Sequence, residues 1–228
     1  MRSRRLRHCM QQARSATRTA STICVGCNKR SSLMASLASE SATEMAGRYA
    51  GRLGTLLAAT DWSMIAPLAE ELLDCWQTGR QVFWIGNGGS AGNATHLSND
   101  FLYPISKQRG SGIRSHALTT NAPIITCLAN DEGYDETFAM QLAVLANPRD
   151  VLIAFSGSGN SPNILRALEE ARNIGMKSFA VLGFSGGKAK ELTDHPIHFL
   201  IEDMQIAEDM QLIVGHMVMQ YLHANRNR

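Results

Sequence analysis

Two glycine- and serine-rich turns constrain this chain more than any other feature. They are Gly86-Asn87-Gly88-Gly89-Ser90 and Ser156-Gly157-Ser158-Gly159-Asn160-Ser161, each following a short apolar run and opening a helical pattern. The runs Val82-Phe83-Trp84-Ile85 and Val151-Leu152-Ile153-Ala154-Phe155 read as buried strands, because they are short, apolar and stopped at a turn. Two βα units in one chain predict a parallel sheet. At each junction the first backbone N–H groups of the helix lack an intrahelical partner and point into the loop. An anion there gains hydrogen bonds and the favourable end of the helix dipole. Ser90, Ser156, Ser158 and Ser161 add four neutral hydroxyl donors, a set suited to a phosphomonoester. The spacing matches neither the dinucleotide-binding fingerprint nor the P-loop, which needs a Lys after its last glycine. One such turn is most often only a turn. Two at strand C-termini can flank a single crevice where the strand order reverses, and a sugar phosphate is the ligand that fits best.

Hydrophobic spacing fills in the rest. Helices are predicted over residues 39–59 and 62–78, then a strand at 82–85 and a helix from Ser90 to Tyr103, stopped by Pro104. A strand at 115–118 precedes a polar stretch and a helix over 137–145. The strand at 151–155 leads into a helix over 162–174 that begins with a proline, and a strand at 179–182, a short helix at 188–192, a strand at 197–201 and a helix over 204–223 follow. The fold class is α/β, a doubly wound parallel sheet in three layers, flavodoxin-like, with N-terminal helices.

Of the 228 residues 44% are hydrophobic and 18% charged, ordinary values for a globular domain, and no run is long enough to cross a bilayer. The net charge of +2 hides an asymmetry. Eight of the 22 Lys/Arg precede Met34 and none of the 20 Asp/Glu does, so the remainder carries 14 basic against 20 acidic residues. An acidic body argues against nucleic acid as a partner. Residues 1–35 read as a basic, disordered extension, and residues 36–228 as a single domain. The composition of the extension resembles an organellar transit peptide and arises equally from an upstream start codon used in place of Met34 or Met45, the reading we favour. Cys24 and Cys27 have zinc-ribbon spacing without a second pair, and Cys75 and Cys127 lie in apolar stretches as core cysteines do. A reducing cytoplasm suits this cysteine usage.

His96 and Asp100 are four apart on one predicted helix, and Glu208 and His216 are eight apart on another, so each pair shares a helix face. Two imidazoles and two carboxylates form either a four-ligand divalent site or an acid/base set, provided that the helices meet. A His with an Asp at i+4 is, on spacing alone, more often a surface pair.

Five segments carry a family resemblance: Gly86-Asn87-Gly88-Gly89-Ser90-Ala91 through His96 to Asp100, Ala117-Leu118-Thr119-Thr120-Asn121, Ala129-Asn130-Asp131-Glu132-Gly133-Tyr134, Ser156 to Ser161 with Pro162-Asn163, and Glu208 through Gly215-His216. In order and spacing they resemble the phosphoheptose isomerases, single-domain members of the sugar isomerase (SIS) fold. The resemblance implies conversion of sedoheptulose 7-phosphate to glycero-manno-heptose 7-phosphate, a homotetramer with active sites between subunits, a bound zinc in many members, and a place in heptose synthesis for lipopolysaccharide or related glycans. It implies that Ser90, Ser156, Ser158 and Ser161, with Gly88, hold the phosphate and that Asn87 and Asp131 line the sugar site. His96, Asp100, Glu208 and His216 fall on the metal positions, with Asp100 and His216 as the acid/base pair. The family usually has Glu at Asp100, Gln at Glu208 and Thr at Gly157. Two other readings stay open, a non-catalytic phosphosugar-binding or replication-initiator-associating scaffold and an isomerase for another phosphosugar.

Overall fold

The structure is a computed structural model that describes residues 40–226 in two compact units, divided between Gly51 and Arg52. The basic extension, with Cys9, Cys24 and Cys27, lies outside the described residues. In the first unit the chain enters helix α1 (Ala42–Ala59) through a capping box. The Ser41 N–H donates to Glu44 Oε2 at 2.9 Å and the Glu44 N–H donates to Ser41 Oγ at 3.3 Å, which satisfies backbone donors that a helix start leaves open. Arg48 pairs with Glu40 at 2.8 Å. No residue of α1 is buried.

The second unit is built on five parallel strands, β1 (Gln81–Ile85), β2 (Arg114–Ala117), β3 (Val151–Ser156), β4 (Lys177–Leu182) and β5 (His195–His198), in the order β2-β1-β3-β4-β5. Every residue of β1 and β3 is buried, as strands covered on both faces must be. Side chains alternate between the faces. Phe83, Ile85, Leu152 and Ala154 join Ile164 and Leu168 of helix α6 (Pro162–Ile174) in one core. On the other face Trp84 packs against Phe155 and Phe101, with ring centroids 5.8 and 5.2 Å apart, and its indole N–H donates to Ser115 Oγ at 2.7 Å. The remaining helices are α2 (Ala66–Thr78), α3 (Gly89–Leu102), α4 (Ala122–Asp131), α5 (Ala139–Leu145), α7 (Ala189–Leu192) and α8 (Met204–Asn225).

From β1 the chain crosses to the edge strand β2 and then returns past β1 to β3. The order therefore reverses between β1 and β3, and their carboxyl ends open the crevice where doubly wound sheets bind ligands. The two glycine- and serine-rich turns follow these two strands.

Several elements differ in detail from the sequence expectation. The helix expected over 62–78 opens with a separate 3-10 turn, Trp62–Ile65, in which the Asp61 carboxylate accepts the Ser63 N–H, and Pro67 sits in the first turn of α2, where a missing N–H costs nothing. The strand expected at 197–201 is instead His195–His198. The helix expected over 137–145 begins at Ala139, after a 3-10 turn at Tyr134–Glu136. The polar stretch before it contains α4, capped by Asn121 Oδ1, which accepts the Ile124 N–H at 3.4 Å, with a proline in its first turn.

Candidate active site

The two turns wall a cavity of about 270 Å³ lined by Asn87, Gly88, Gly89 and Ser90 from one side and Ser156, Gly157, Ser158 and Ser161 from the other. Phe155, Met204 and Glu208 complete the wall. Three of the serine hydroxyls are oriented by an N–H that donates to them. Gln211 Nε2 donates to Ser90 Oγ at 3.0 Å, the Gly159 N–H to Ser156 Oγ at 3.0 Å, and the Asn160 N–H to Ser158 Oγ at 3.3 Å. Each oxygen accepts one bond, so its own proton is free to donate to a ligand. Ser161 is the N-cap of α6 but makes no side-chain capping bond, which also leaves its hydroxyl for a ligand. All four predicted serines, with Asn87 and Gly88, thus meet around one cavity.

Gly157 is explained by its neighbour. A Cβ at that position would fall 2.4 Å from Met204 Sδ, so the room a side chain would occupy is already taken by Met204. Asn87 is held by two residues that sequence reasoning gave no role. Its Nδ2 donates to Asn163 Oδ1 at 2.8 Å, while its Oδ1 accepts Asn163 Nδ2 at 2.9 Å and the Tyr134 hydroxyl at 3.0 Å. Both residues belong to the motifs quoted above. Gln211 was also missed. It is 1% exposed, and a fully buried amide at a core-facing position of α8 is the signal that could have found it. It also accepts Asn93 Nδ2 at 2.9 Å, tying α3 to α8.

The two helices meet. A Cβ on Gly215 would lie 2.4 Å from Leu97 Cδ1, so glycine here leaves Leu97 its place between α8 and α3. The adjacent His216 brings its Nε2 to 3.2 Å from His96 Nε2. Asp100 Oδ2 lies 3.4 Å from His96 Nε2 and 3.7 Å from His216 Nε2. The Asp100 side chain is 16% exposed, whereas the imidazoles are about half exposed at 50% and 46%. One donor atom from each of the three residues falls within 4.8 Å of the others. A borderline cation such as zinc takes such N/O donors, so the chemistry of the set fits the ion that the resemblance implies.

Glu208 is not brought to that cluster. It precedes His216 by eight residues, about 12 Å of helix rise, and its carboxylate lies instead against the first residue of α3, where a Cβ on Gly89 would fall 2.3 Å from Oε2. Asp131, expected at the sugar site, ends α4 on the surface and is not part of the cavity wall. Its carboxylate accepts Asn130 Nδ2 at 2.7 Å and the Cys127 thiol at 3.4 Å, and these two bonds hold it below the usual carboxylate range. Cys127 is therefore an exposed cysteine, not the core residue its apolar context suggested. Cys75 is a core residue, and burial pushes its thiol up to about 12.

Residues 47–183 match the model of the SIS domain. The chain belongs to the SIS-domain family. Curated relatives within the family include phosphoheptose isomerases. That of Trichlorobacter lovleyi is 36% identical over 154 residues, spanning 68% of this chain and 78% of the relative, and that of Chlorobaculum parvum is 33% identical over 181 residues, spanning 77% and 85%. The solved phosphoheptose isomerase of Francisella tularensis superposes with a TM-score of 0.75 at 26% identity, covering 81% of this SIS-domain chain and all of that one. The enzyme of Neisseria gonorrhoeae gives 0.73 at 25% identity, covering 79% and 97%. The five-stranded parallel sheet is thus the family's architecture.

Proposed function

We propose that this chain is an aldose–ketose isomerase that interconverts sedoheptulose 7-phosphate and glycero-manno-heptose 7-phosphate. The observation that carries the reading is the meeting of His96, Asp100 and His216 from two helices whose other ends wall the serine cavity. The cradle holds the phosphate through hydroxyls and helix N–H groups, and Asn87, fixed by Asn163 and Tyr134, hydrogen-bonds the sugar.

Asp100 and His216 are the acid/base pair. One takes a proton from C1 of the ketose. The C1–H electron pair becomes the C1–C2 double bond, and the C2 carbonyl oxygen receives a proton to give the enediol. Return of a proton to C2, with loss of one from the C1 hydroxyl, leaves the aldehyde, and no atom is gained or lost. His96 holds Asp100 toward the reacting carbons from the same helix face. A divalent ion held by His96, Asp100 and His216 would polarise the carbonyl and hydroxyl oxygens.

The half-exposed imidazoles suit a site completed by another copy of the chain, in keeping with a homotetramer, and the buried free thiol of Cys75 suits the cytoplasm. The product would supply heptose for lipopolysaccharide or related glycans. The test is turnover of sedoheptulose 7-phosphate with and without added zinc. Activity in the wild type, zinc content near one ion per chain, and loss of both in His216→Ala are expected. Asp100→Glu should keep the metal with equal or higher turnover. A wild type that is inactive with zinc present would overturn the proposal.

A further inference from the structure

We propose that Glu208 makes the serine cradle a conditional anion site, one that admits a phosphate dianion readily only when a cation offsets the carboxylate. The inference rests on the sugar-phosphate reading above and concerns how that ligand gains entry.

Among the described residues Glu208 is the one charged side chain lining the cavity, and its charge has the same sign as that of the ligand. No Lys or Arg lines the cavity among the described residues. The carboxylate also lies at the start of α3. Built on Gly89, a Cβ would lie 2.3 Å from Oε2 and 2.5 Å from Oε1, so both oxygens rest over the first residue of α3. This is the helix end from which a bound phosphate draws its N–H bonds. The resident carboxylate and the incoming phosphate lie at the same positive end of the helix dipole. Like charges a few ångström apart repel by more than thermal energy even at an effective dielectric constant of about 20. The serine hydroxyls are neutral donors and cannot cancel that repulsion.

A means of relief lies on the same two helices. His96 and Asp100 on α3 and His216 on α8 gather N and O donors about two turns from Glu208. A divalent ion held there supplies the counter-charge that the cavity lacks. Coupling of this kind is reciprocal, so the cation raises affinity for the phosphate and the phosphate raises affinity for the cation. Glutamine at the same position has the same shape without the charge, so a chain carrying it would bind phosphate with less dependence on a cation.

The experiment is isothermal titration of chelator-treated protein with inorganic phosphate and with sedoheptulose 7-phosphate, in the wild type, in Glu208→Gln and in Glu208→Ala, with folding checked by thermal melting. Both variants should bind both ligands about tenfold more tightly than the wild type. With zinc added, wild-type affinity should rise and the difference from Glu208→Gln should narrow. Affinities equal to or weaker than wild type in both variants would overturn the inference while leaving the cradle in place. Absence of phosphate binding in all three proteins, with or without zinc, would overturn it together with the sugar-phosphate reading.

Discussion

Each cradle serine that accepts an N–H is presented with its proton outward, so the cost of orienting the hydroxyl is met before a ligand arrives. Ser158 and Ser161 are the best places to measure this. Ser158 Oγ accepts a single bond from the Asn160 N–H and Ser161 Oγ caps nothing, so loss of either hydroxyl leaves little buried polarity behind. A hydrogen bond to a charged group contributes about 1.5–3 kcal/mol, so Ser158→Ala and Ser161→Ala should each weaken sugar-phosphate binding roughly 10- to 150-fold with the melting temperature nearly unchanged. Calorimetric affinities equal to wild type in both variants would remove these serines from the site. The cradle was legible in the sequence because strand, turn and helix follow one another locally. The place of Glu208 was not, because residues eight apart on one face still stand about 12 Å apart along the axis. The meeting of His96 and His216 was not fixed by spacing either. It depends on Gly215 lying against Leu97, a contact between residues 118 positions apart.

At the scale of elements, α8 matters most, since it carries Glu208, Gln211 and His216. Its start is fixed by Asp203, whose Oδ1 accepts the N–H groups of Gln205 at 3.1 Å and Ile206 at 3.2 Å, while Oδ2 pairs with Arg52 at 2.7 Å. Burial raises the carboxyl of Asp203, but the Ile206 N–H, the Arg52 guanidinium and the Gln205 N–H together outweigh it and hold the group below its ordinary value. A carboxyl depressed in the folded state contributes stability above its unfolded pKa and loses that contribution as pH falls through the folded value. Asp203→Ala should therefore cost about 1–2 kcal/mol near neutrality, and the gap from wild type should close in acid, below about pH 4. For a chain of this size that is a drop in melting temperature of roughly 2–8 °C at fixed protein concentration. Equal melting curves at neutral pH would show that the cap contributes nothing. The element pattern itself was largely readable, as β1 and β3 were found from apolar runs alone. Helix α4 was passed over because the stretch was read as polar, although six of its ten residues are apolar. Asn121 and Pro123 are nevertheless ordinary helix-start signals.

At the scale of the whole molecule, the unburied surface decides the assembly. Helix α1 buries none of its residues although Leu53, Leu56 and Leu57 recur at helical spacing, and α4 buries none although Ile124, Ile125 and Leu128 share its sequence. Beside α4, Val144 of α5 is 82% exposed, and Met140 and Leu145 are exposed too. Apolar surface on two helices and beside one of them is more than a lone chain keeps in water, and closed symmetric assembly is the usual way to cover it. His96 and His216, each about half exposed, lie on open surface as well. For the homotetramer proposed above, light scattering at micromolar concentration should return four times the mass of one chain. Placing charge in the apolar groove between α4 and α5, as Val144→Glu or Leu128→Glu, should shift the mass downward, and turnover should fall with it if subunit contact completes the site. A wild-type monomer at micromolar concentration would contradict the assembly. Charged variants that dissociate with full activity would instead leave the assembly standing and confine the active site to a single chain.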